Sequence, residues 1–350
     1  MKKLTLLLSI LFLSACSNSA TSTPTQNNEI MLGTMRDSKF GFLFGYPRQV
    51  YLLDPDGTGE SNRKPLWTSM NKPIWSPDGQ WAAFDTRYSY SDDGSSIFIA
   101  KANGSQAQRV SYHKDRDYYP SWSPDGTHIV YESYNTEHSQ YIEEGIYTLD
   151  VSCILDGTPC SLSPAYIAKG GSPAWSPNGK QISFEMECEQ DNQYCIHVIS
   201  AEGIGNARQL SPSHLSCYNP QWSPNGTEII FTCYNQSCCS EEEAGIYKAK
   251  SDGTEFEMIA NISEAWMPQW SPDGSKIAFM SSHRGDLGKM IGWEAGSTDA
   301  VYIMNADGTG MTRLSFRSDE DVLWFTWLPF SPQEKGAFDS AGLIDDKKCA

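Results

Sequence analysis

Short apolar runs alternate with polar turns along almost the whole chain. Runs such as HIVYES, QISFEM and EIIFTC are rich in β-branched and aromatic residues, and Asp-Gly or Asn-Gly dipeptides bound them. This pattern predicts short antiparallel strands joined by hairpins. No helical period separates the runs, so the hydrophobic pattern predicts an all-β fold.

One pentapeptide, Trp-Ser-Pro-Asp/Asn-Gly, occurs five times at intervals of about fifty residues. A proline stands two residues before each tryptophan, and three further apolar runs follow each copy. Self-similarity of this period indicates repeated supersecondary units, and four short strands per unit predict the blade of a β-propeller. A weaker sixth copy keeps Trp327 and Pro329 but lacks the Asp/Asn-Gly pair. The repeat tryptophans, which we expect to pack between blades, are Trp75, Trp122, Trp175, Trp222, Trp270 and Trp327.

The pentapeptide itself is interpreted as a structural turn. Ser and Asp/Asn side chains bond nearby backbone amides, proline fixes φ, and glycine supplies a positive φ. The alternative is that the Asp or Asn side chains bind a ligand. That alternative is the weaker one, because Asn178 and Asn225 replace the aspartate in two of the five copies.

The two ends of the repeat region are incomplete in complementary ways. Segments 41–46, 50–57 and 64–68 have strand character but follow no pentapeptide, whereas the last tryptophan segment, 321–329, stands alone. Pairing these pieces predicts a six-bladed β-propeller of four-stranded antiparallel blades, closed by the C-terminal strand, which hides two sheet edges. The sequence leaves open which strand closes the ring and what segment 30–36 does.

The repeat pattern, Pro-x-Trp-Ser-Pro-Asp/Asn-Gly followed by Ile-Tyr and Asp-Gly, resembles the TolB-type β-propeller repeat over residues 39–330. The same repeat occurs in the propeller domains of prolyl-oligopeptidase and dipeptidyl-peptidase relatives. The resemblance implies the propeller fold and a TolB-like role as a binding scaffold. TolB carries an additional N-terminal α/β domain, for which we expect no counterpart here.

The N-terminal residues have the pattern of an export signal. Residues 1–15 combine two lysines, an apolar stretch and small residues, which is typical of a secretory signal peptide. Leu13-Ser14-Ala15-Cys16 resembles the bacterial lipobox, which implies that Cys16 carries lipid; the alternative is an ordinary signal peptide with an incidental cysteine. We therefore expect a flexible tether at 16–38, the propeller at 39–335 and a tail at 336–350, with the protein anchored to a membrane of the cell envelope, periplasmic or on the outer surface.

Charge and histidine spacing narrow the classes of ligand. The formal net charge of −17 argues against nucleic acid and against adsorption on anionic lipid, so only the lipid anchor would hold the chain at a membrane. The six histidines are scattered without paired ligand spacing, and no CxxC pair exists. We therefore predict no metal site, no cofactor and a monomeric protein.

The ten cysteines fit an exported protein stabilised by disulfides. Three pairs flank short turns or face each other across predicted strands, although sequence alone leaves the connectivity open. The candidate pairs are Cys153 with Cys160, Cys188 with Cys195, and Cys217 with Cys233.

The residues next to each repeat proline should surround one mouth of the central channel, where propellers usually meet ligands. Many of them are aromatic and could stack on sugars or hold a peptide; alternatively they pack under loops and contact no partner. This candidate rim consists of Lys72, Tyr118, Tyr119, Ser172, Tyr218, Asn219, Trp266, Met267 and Trp324.

Two functional hypotheses follow. We favour a binding scaffold that engages a protein or an envelope polymer at the propeller mouth. The alternative is a propeller enzyme, a lyase or hydrolase acting on polysaccharide or peptide, but no G-x-S-x-G nucleophile motif is present and no catalytic residue can be named. The enzyme hypothesis predicts that histidines or carboxylates converge in the channel and have shifted pKa values.

Overall fold

The fold is described from a computed structural model that covers twelve segments of the chain. These are residues 30–35, 49–53, 72–87, 95–101, 106–111, 116–134, 143–159, 161–188, 193–235, 243–282, 300–314 and 321–327. The elements in these segments are short β-strands, with one four-residue helix. Within the same segments no helix is long and apolar enough to cross a bilayer.

Five four-stranded antiparallel sheets follow one another along the chain, and we number them blades 1 to 5. Blade 1 contains β3 (Ile74–Trp75), β4 (Trp81–Arg87), β5 (Ser95–Lys101) and β6 (Gln108–Arg109). Blade 2 contains β7 (Arg116–Trp122), β8 (His128–Tyr134), β9 (Gly145–Asp150) and β10 (Ala165–Ala168), with α1 (Ser152–Leu155) before β10. Blade 3 contains β11 (Gly171–Trp175), β12 (Gln181–Glu187), β13 (Tyr194–Ser200) and β14 (Arg208–Gln209). Blade 4 contains β15 (Ser216–Trp222), β16 (Glu228–Tyr234), β17 (Gly245–Lys250) and β18 (Phe256–Asn261). Blade 5 contains β19 (Ala265–Trp270), β20 (Lys276–Ser281), β21 (Ala300–Asn305) and β22 (Thr312–Arg313).

The prediction of six four-stranded blades is wrong, because the described segments form five. The remaining sheet has three strands in the order β2-β1-β23, formed by β1 (Ile30–Met35), β2 (Gln49–Leu53) and β23 (Asp321–Trp327). Each of the five blades contains one full pentapeptide, which begins with the last residue of the first strand and forms the turn to the second strand. The terminal segments of the repeat region contain no full pentapeptide.

The three-stranded sheet joins the two ends of the described chain. The C-terminal strand β23 pairs antiparallel with β1, from Ile30 opposite Trp327 to Met35 opposite Asp321. The sequence left the role of segment 30–36 open. Its residues 30–35 form the strand beside β23, and they lie inside the range that we expected to be a tether. Segments 41–46 and 64–68 lie outside the described residues.

The pentapeptide turn repeats one hydrogen-bond pattern in every blade. In blade 1 the Ser76 hydroxyl donates to Asp78 Oδ1 at 2.6 Å and accepts the backbone N–H of Trp81 at 2.9 Å. In blade 3 the Ser176 hydroxyl donates to Asn178 Oδ1 at 2.9 Å in the same way. The turn needs an acceptor oxygen rather than a charge, which explains why asparagine and aspartate interchange.

The repeat tryptophans contribute to the packing between blades. Trp122 Nε1 donates to the carbonyl of Ile74 at 2.9 Å, and Trp222 Nε1 donates to the carbonyl of Ala174 at 3.1 Å. In each case the acceptor belongs to the first strand of the preceding blade. The buried apolar clusters likewise combine residues of neighbouring blades, so the core consists of layers between successive sheets.

Two of the proposed disulfides are present. Cys188–Cys195 links the end of β12 to β13, and Cys217–Cys233 links β15 to β16 as a directly paired position of the two strands. Cys153 is also disulfide-bonded, whereas its proposed partner Cys160 lies outside the described residues.

Candidate functional site: a cavity at the convergence of the inner strands

A cavity of about 330 Å³ lies where the first strands of all five blades converge. We call these first strands the inner strands. The cavity wall is formed by Lys72, Ile74, Asp85, Tyr118, Tyr119, Pro120, Ser121, Ser172, Pro173, Asn219, Gln221, Met267 and Pro268. Every blade therefore contributes at least one residue next to its repeat proline.

Four of the lining residues have an unusual backbone conformation. Tyr119, Ser172, Asn219 and Met267 have φ values of 53°, 47°, 56° and 53°. Each directly precedes its repeat proline, and each coincides with a register shift between the inner strand and the next strand. Positive φ is uncommon for residues other than glycine, and an irregularity of this kind bends a strand and redirects a side chain. The repeated bulge brings these residues to the cavity.

Two carboxylates, the buried Glu132 and the half-buried Glu185, accept hydrogen bonds from the backbone amides that the bulges release. Glu132 of β8 accepts the Ser172 N–H at 2.8 Å through Oε2, and Glu185 of β12 accepts the Asn219 N–H at 2.7 Å through Oε1. In both cases the carboxylate belongs to the blade before the bulge. Asp85 occupies the same position of the repeat in β4, is buried and lines the cavity.

Burial sets the protonation of these groups. Burial raises the pKa of Glu185 to about 7, the Asn219 and Ser172 hydrogen bonds oppose this rise, and the charge of Glu132 adds to it. Burial also raises the pKa of Glu132, against hydrogen bonds from Tyr134 and Ser172. On the opposite side, burial lowers the pKa of Lys72 to about 8. The site therefore holds ionisable groups whose charge changes near neutral pH.

Six tyrosines of blades 2 to 4 cluster at this end of the propeller, and we call them the tyrosine surface. They are Tyr118, Tyr119, Tyr134, Tyr194, Tyr218 and Tyr234. The ring centroids of neighbouring members lie 5.4 to 6.2 Å apart. Four members are 40 to 47% exposed, so their rings are open to a partner.

The tyrosine surface lies in a negative field. Burial raises the pKa of Tyr119 to about 12, and the charges of Glu132, Glu185 and Asp85 contribute to the rise. Burial and a hydrogen bond to Glu132 likewise raise the pKa of Tyr134. The phenols of Tyr119 and Tyr134 therefore stay neutral, able to donate hydrogen bonds, throughout the physiological pH range.

The structure brings together most of the predicted rim. Among the predicted residues, Lys72, Tyr118, Tyr119, Ser172, Asn219 and Met267 line the cavity, and Tyr218 stacks on Tyr234 at 5.4 Å in the tyrosine surface. Trp266 is only partly buried and packs against the core of blade 5. The side chain of Trp324 and the whole of Cys16 lie outside the described residues.

The carboxylates and half of the tyrosine surface were not predicted from the sequence. Asp85, Glu132 and Glu185 stand at one repeat position, where an acidic residue interrupts an apolar second strand. Tyr134 and Tyr234 end the corresponding strands of blades 2 and 4. The recurring acidic position was the available signal, because a buried carboxylate in a strand requires a partner.

Metal chemistry has no visible basis in the described segments. Within them no group of three or more His, Cys, Asp or Glu side chains could hold a metal ion. His197 is buried in β13, with its Nδ1 atom 3.1 Å from the carbonyl of Cys195 and its ring against Phe184. These contacts are those of a core histidine.

Comparison with known proteins establishes the fold rather than an activity. The chain is similar to the solved structure of a putative TolB from Agrobacterium tumefaciens, with a TM-score of 0.54, 18% identity, and coverage of 87% of this chain and 99% of that one. No family model matches the chain. The protein has the fold of a TolB-like β-propeller.

Two curated proteins match part of the sequence. An uncharacterized protein of Agrobacterium fabrum is 26% identical over 141 residues, which are 39% of this chain and 46% of that protein. Dipeptidyl-peptidase 5 of Porphyromonas gingivalis is 30% identical over 141 residues, which are 38% of this chain and 20% of that protein. The chain thus spans less than half the length of either relative, so neither likeness transfers an activity.

Proposed function

We propose that this protein is a binding module whose cavity-bearing end engages a protein or an envelope polymer. The supporting observation is the coincidence of a cavity, four bulged inner-strand residues and an exposed cluster of tyrosines at one end of the propeller. Tyrosine offers a large, rigid contact area together with a hydrogen-bond donor, and such residues dominate the energetics of binding surfaces.

The enzyme alternative finds less support in the same site. Carboxylates do converge there with raised pKa values, as that hypothesis required. However, Glu132 and Glu185 accept backbone amides of the next blade, which is a structural use of both groups. The described residues that line the cavity include no histidine and no cysteine, and Asp85 is the one carboxylate among them. Hydrolysis of a glycoside generally uses a pair of carboxylates.

We further propose that the module is tethered to a membrane of the cell envelope through Cys16. The supporting observations are the signal-like residues 1–15 and the lipobox pattern that ends at Cys16. Incorporation of labelled palmitate by the expressed chain should be lost in Cys16→Ser. Equal labelling of both proteins, or labelling of neither, would contradict the tether and leave the binding function untouched.

Site-directed photocrosslinking tests the binding function. A photoreactive amino acid is placed at Tyr119 or at Tyr234 in the full chain, expressed in its native host. The matched control is Ile204, an apolar residue that is 69% exposed. It lies in the turn after β13, which adjoins the pentapeptide end because the Ala201 N–H bonds the carbonyl of Lys180.

We expect crosslinks to a discrete protein or polymer species from the two tyrosine positions and none from position 204. Crosslinks from position 204 alone would place the partner at the other end of the propeller. Absence of crosslinks from all three positions would oppose a stable partner altogether.

A further inference from the structure

We infer that the tyrosine surface recognises an extended polypeptide segment that carries basic side chains, with an ammonium or guanidinium group seated between the tyrosine rings and the carboxylates behind them. This inference rests on the proposed binding function and names the chemistry of its partner. Three observations carry it: the arrangement of the rings, the charges behind the rings, and the size of the adjoining cavity.

The rings form two clusters, each centred on an inner-strand tyrosine. Tyr118 contacts Tyr119 and Tyr134, with ring centroids 6.0 and 6.2 Å away. Tyr218 contacts Tyr194 and Tyr234, at 5.7 and 5.4 Å. Rings held by one another lose little conformational freedom when a partner binds, and their faces attract cations.

The charges behind the rings favour a cation over an anion. Glu185 raises the pKa of Tyr119, Tyr134 and Tyr218, so its charge acts on members of both clusters. Glu132 and Asp85 add to the effect at Tyr119. The chain as a whole carries a formal net charge of −17. An anionic polymer would be repelled, whereas a basic segment would be drawn toward the surface.

Two cations at this end limit where a basic group can sit. Lys72 lines the cavity on the side of blade 1, and Arg116 begins β7 opposite Tyr134. Glu185 belongs to blade 3, which lies in chain order between the blades that carry Tyr118 and Tyr218. We therefore place the guanidinium between the two tyrosine clusters, next to Glu185 and away from Lys72.

The size of the cavity fits a side chain rather than a domain. A volume of about 330 Å³ is at the lower end of the range for small-molecule sites, and Tyr118 and Tyr119 form part of the cavity wall. An extended segment could lie across the tyrosines while one side chain enters the cavity. A long flexible stem with a charged end, as in arginine or lysine, suits this arrangement because its methylene groups pack while its head group stays polar.

Proton coupling gives this inference a distinctive readout. The groups that face Glu185 are Glu132 and Tyr134 from β8, Ser172 from β11, Asn219 and Tyr218 from β15, and Tyr119 from β7. A bound cation favours the carboxylate over the carboxylic acid. Binding should therefore release a proton, and affinity should rise as the pH increases from 6 to 8, as Glu185 ionises.

The test uses the full chain and three synthetic ten-residue Gly/Ser peptides that carry four Arg, four Gln or four Glu residues, with fluorescence anisotropy as the readout. We expect the Arg peptide to bind about tenfold or more tightly than the Gln peptide, and the Glu peptide not to bind. Equal binding of the three peptides would overturn the inference. Binding of the Glu peptide alone would overturn it too.

Two pairs of matched variants locate the effect. Glu185→Gln keeps an acceptor for the Asn219 N–H but removes the charge, whereas Glu228→Gln removes one charge at the pentapeptide end, where Glu228 pairs with Lys250. Tyr234→Ala removes a ring of the tyrosine surface, and Tyr166→Ala removes a 42% exposed ring on β10. Glu185→Gln should abolish the rise of affinity with pH, Tyr234→Ala should weaken binding about fivefold, and both controls should bind as the unmodified chain does.

Thermal unfolding of each variant separates loss of binding from loss of fold. Tyr234→Phe provides a further safeguard, because it keeps the ring and should retain binding of the Arg peptide. If affinity for the Arg peptide lost its pH dependence in Glu228→Gln but not in Glu185→Gln, the proton released on binding would come from the pentapeptide end of the propeller. That result would overturn the inference. If photocrosslinks from Tyr119 and Tyr234 persist without any preference for the Arg peptide, the proposed binding function stands and the basic partner is wrong.

Discussion

At the residue scale, Glu132 and Glu185 explain how an irregular inner strand is tolerated. The bulge takes the N–H of Ser172 or Asn219 out of the regular ladder, and an unpaired buried N–H is costly. Glu132 and Glu185 accept these two groups from the adjacent blade. The same contact that satisfies the bulge therefore joins consecutive blades.

Replacing Glu185 by glutamine should change how stability depends on pH. The pKa of Glu185 is raised from 4.5 to about 7, so the folded protein holds the proton more tightly than the unfolded chain does. Its contribution is fully present below pH 4.5 and is lost as the pH rises through about 7. Glu185→Gln cannot ionise, so it should be more stable than the unmodified protein at pH 8, by up to about 3 kcal/mol, and similar at pH 4.

Urea unfolding at pH 4, 6 and 8 measures this difference, with Glu228→Gln as the control for removing one negative charge. A constant difference between Glu185→Gln and the unmodified protein across the three pH values would show that Glu185 titrates at its ordinary pKa. The m-values of the two proteins must agree for the comparison to hold.

Residue-scale features were predicted unevenly from the sequence. The position of Tyr119, Ser172, Asn219 and Met267 at the cavity follows from the repeat proline, because the repeat fixes the same place in each blade. The role of Glu132 did not follow. Its partner is a backbone amide of the next blade, released by a bulge that no local sequence pattern specifies.

At the element scale, the pattern of apolar runs and turn residues predicted the strands well. The alternation of apolar runs with Asp-Gly and Asn-Gly turns anticipated the second and third strands of each blade, such as β12 and β13. It also anticipated Cys188–Cys195, between the second and third strands of blade 3, and Cys217–Cys233, between the first and second strands of blade 4. Short-range pairings are accessible in this way because turn and strand signals lie within one repeat.

The two disulfides should stabilise the fold to different degrees. Cys217–Cys233 closes a loop with a sequence separation of 16, whereas the separation for Cys188–Cys195 is 7. Chain-entropy arguments give about 3 kcal/mol for the longer loop and about 2 kcal/mol for the shorter one. Paired Cys→Ala variants, compared by guanidinium unfolding, should show this order.

The reverse order would mean that native-state packing outweighs loop entropy. Both bridges involve buried sulfurs, so a Cys217→Val/Cys233→Ala variant, which refills part of the lost volume, separates packing from cross-linking. Unfolding of the unmodified protein in the presence of a reductant measures the combined contribution of all the disulfides, including the one formed by Cys153.

At the scale of the whole molecule, the pairing of β1 with β23 joins segments from opposite ends of the described chain. The repeat count from the sequence was wrong at this scale. The three-stranded sheet is assembled from segments that are distant in sequence, and it lacks the full pentapeptide that marks a blade. No short sequence pattern therefore indicates how many strands this sheet contains.

Loss of either partner in this pairing should therefore affect the entire fold. Deleting residues 321–327 would leave β1 with an unpaired edge and would expose the apolar surface that Phe325 and Trp327 cover against blade 5. We expect a broader unfolding transition and concentration-dependent aggregation, measured by calorimetry and light scattering. Unchanged, cooperative unfolding of the truncated protein would show that the five blades are stable without this strand.

The bulge before each repeat proline also bears on how such a protein diversifies. The same backbone geometry is occupied by a tyrosine, a serine, an asparagine and a methionine at residues 119, 172, 219 and 267. Because this backbone conformation accommodates four unrelated side chains, a single amino-acid substitution can change the lining of the cavity without altering the sheets. Descendants of one scaffold can in this way acquire new binding preferences by point mutation, much as antibodies vary their loops upon a constant framework.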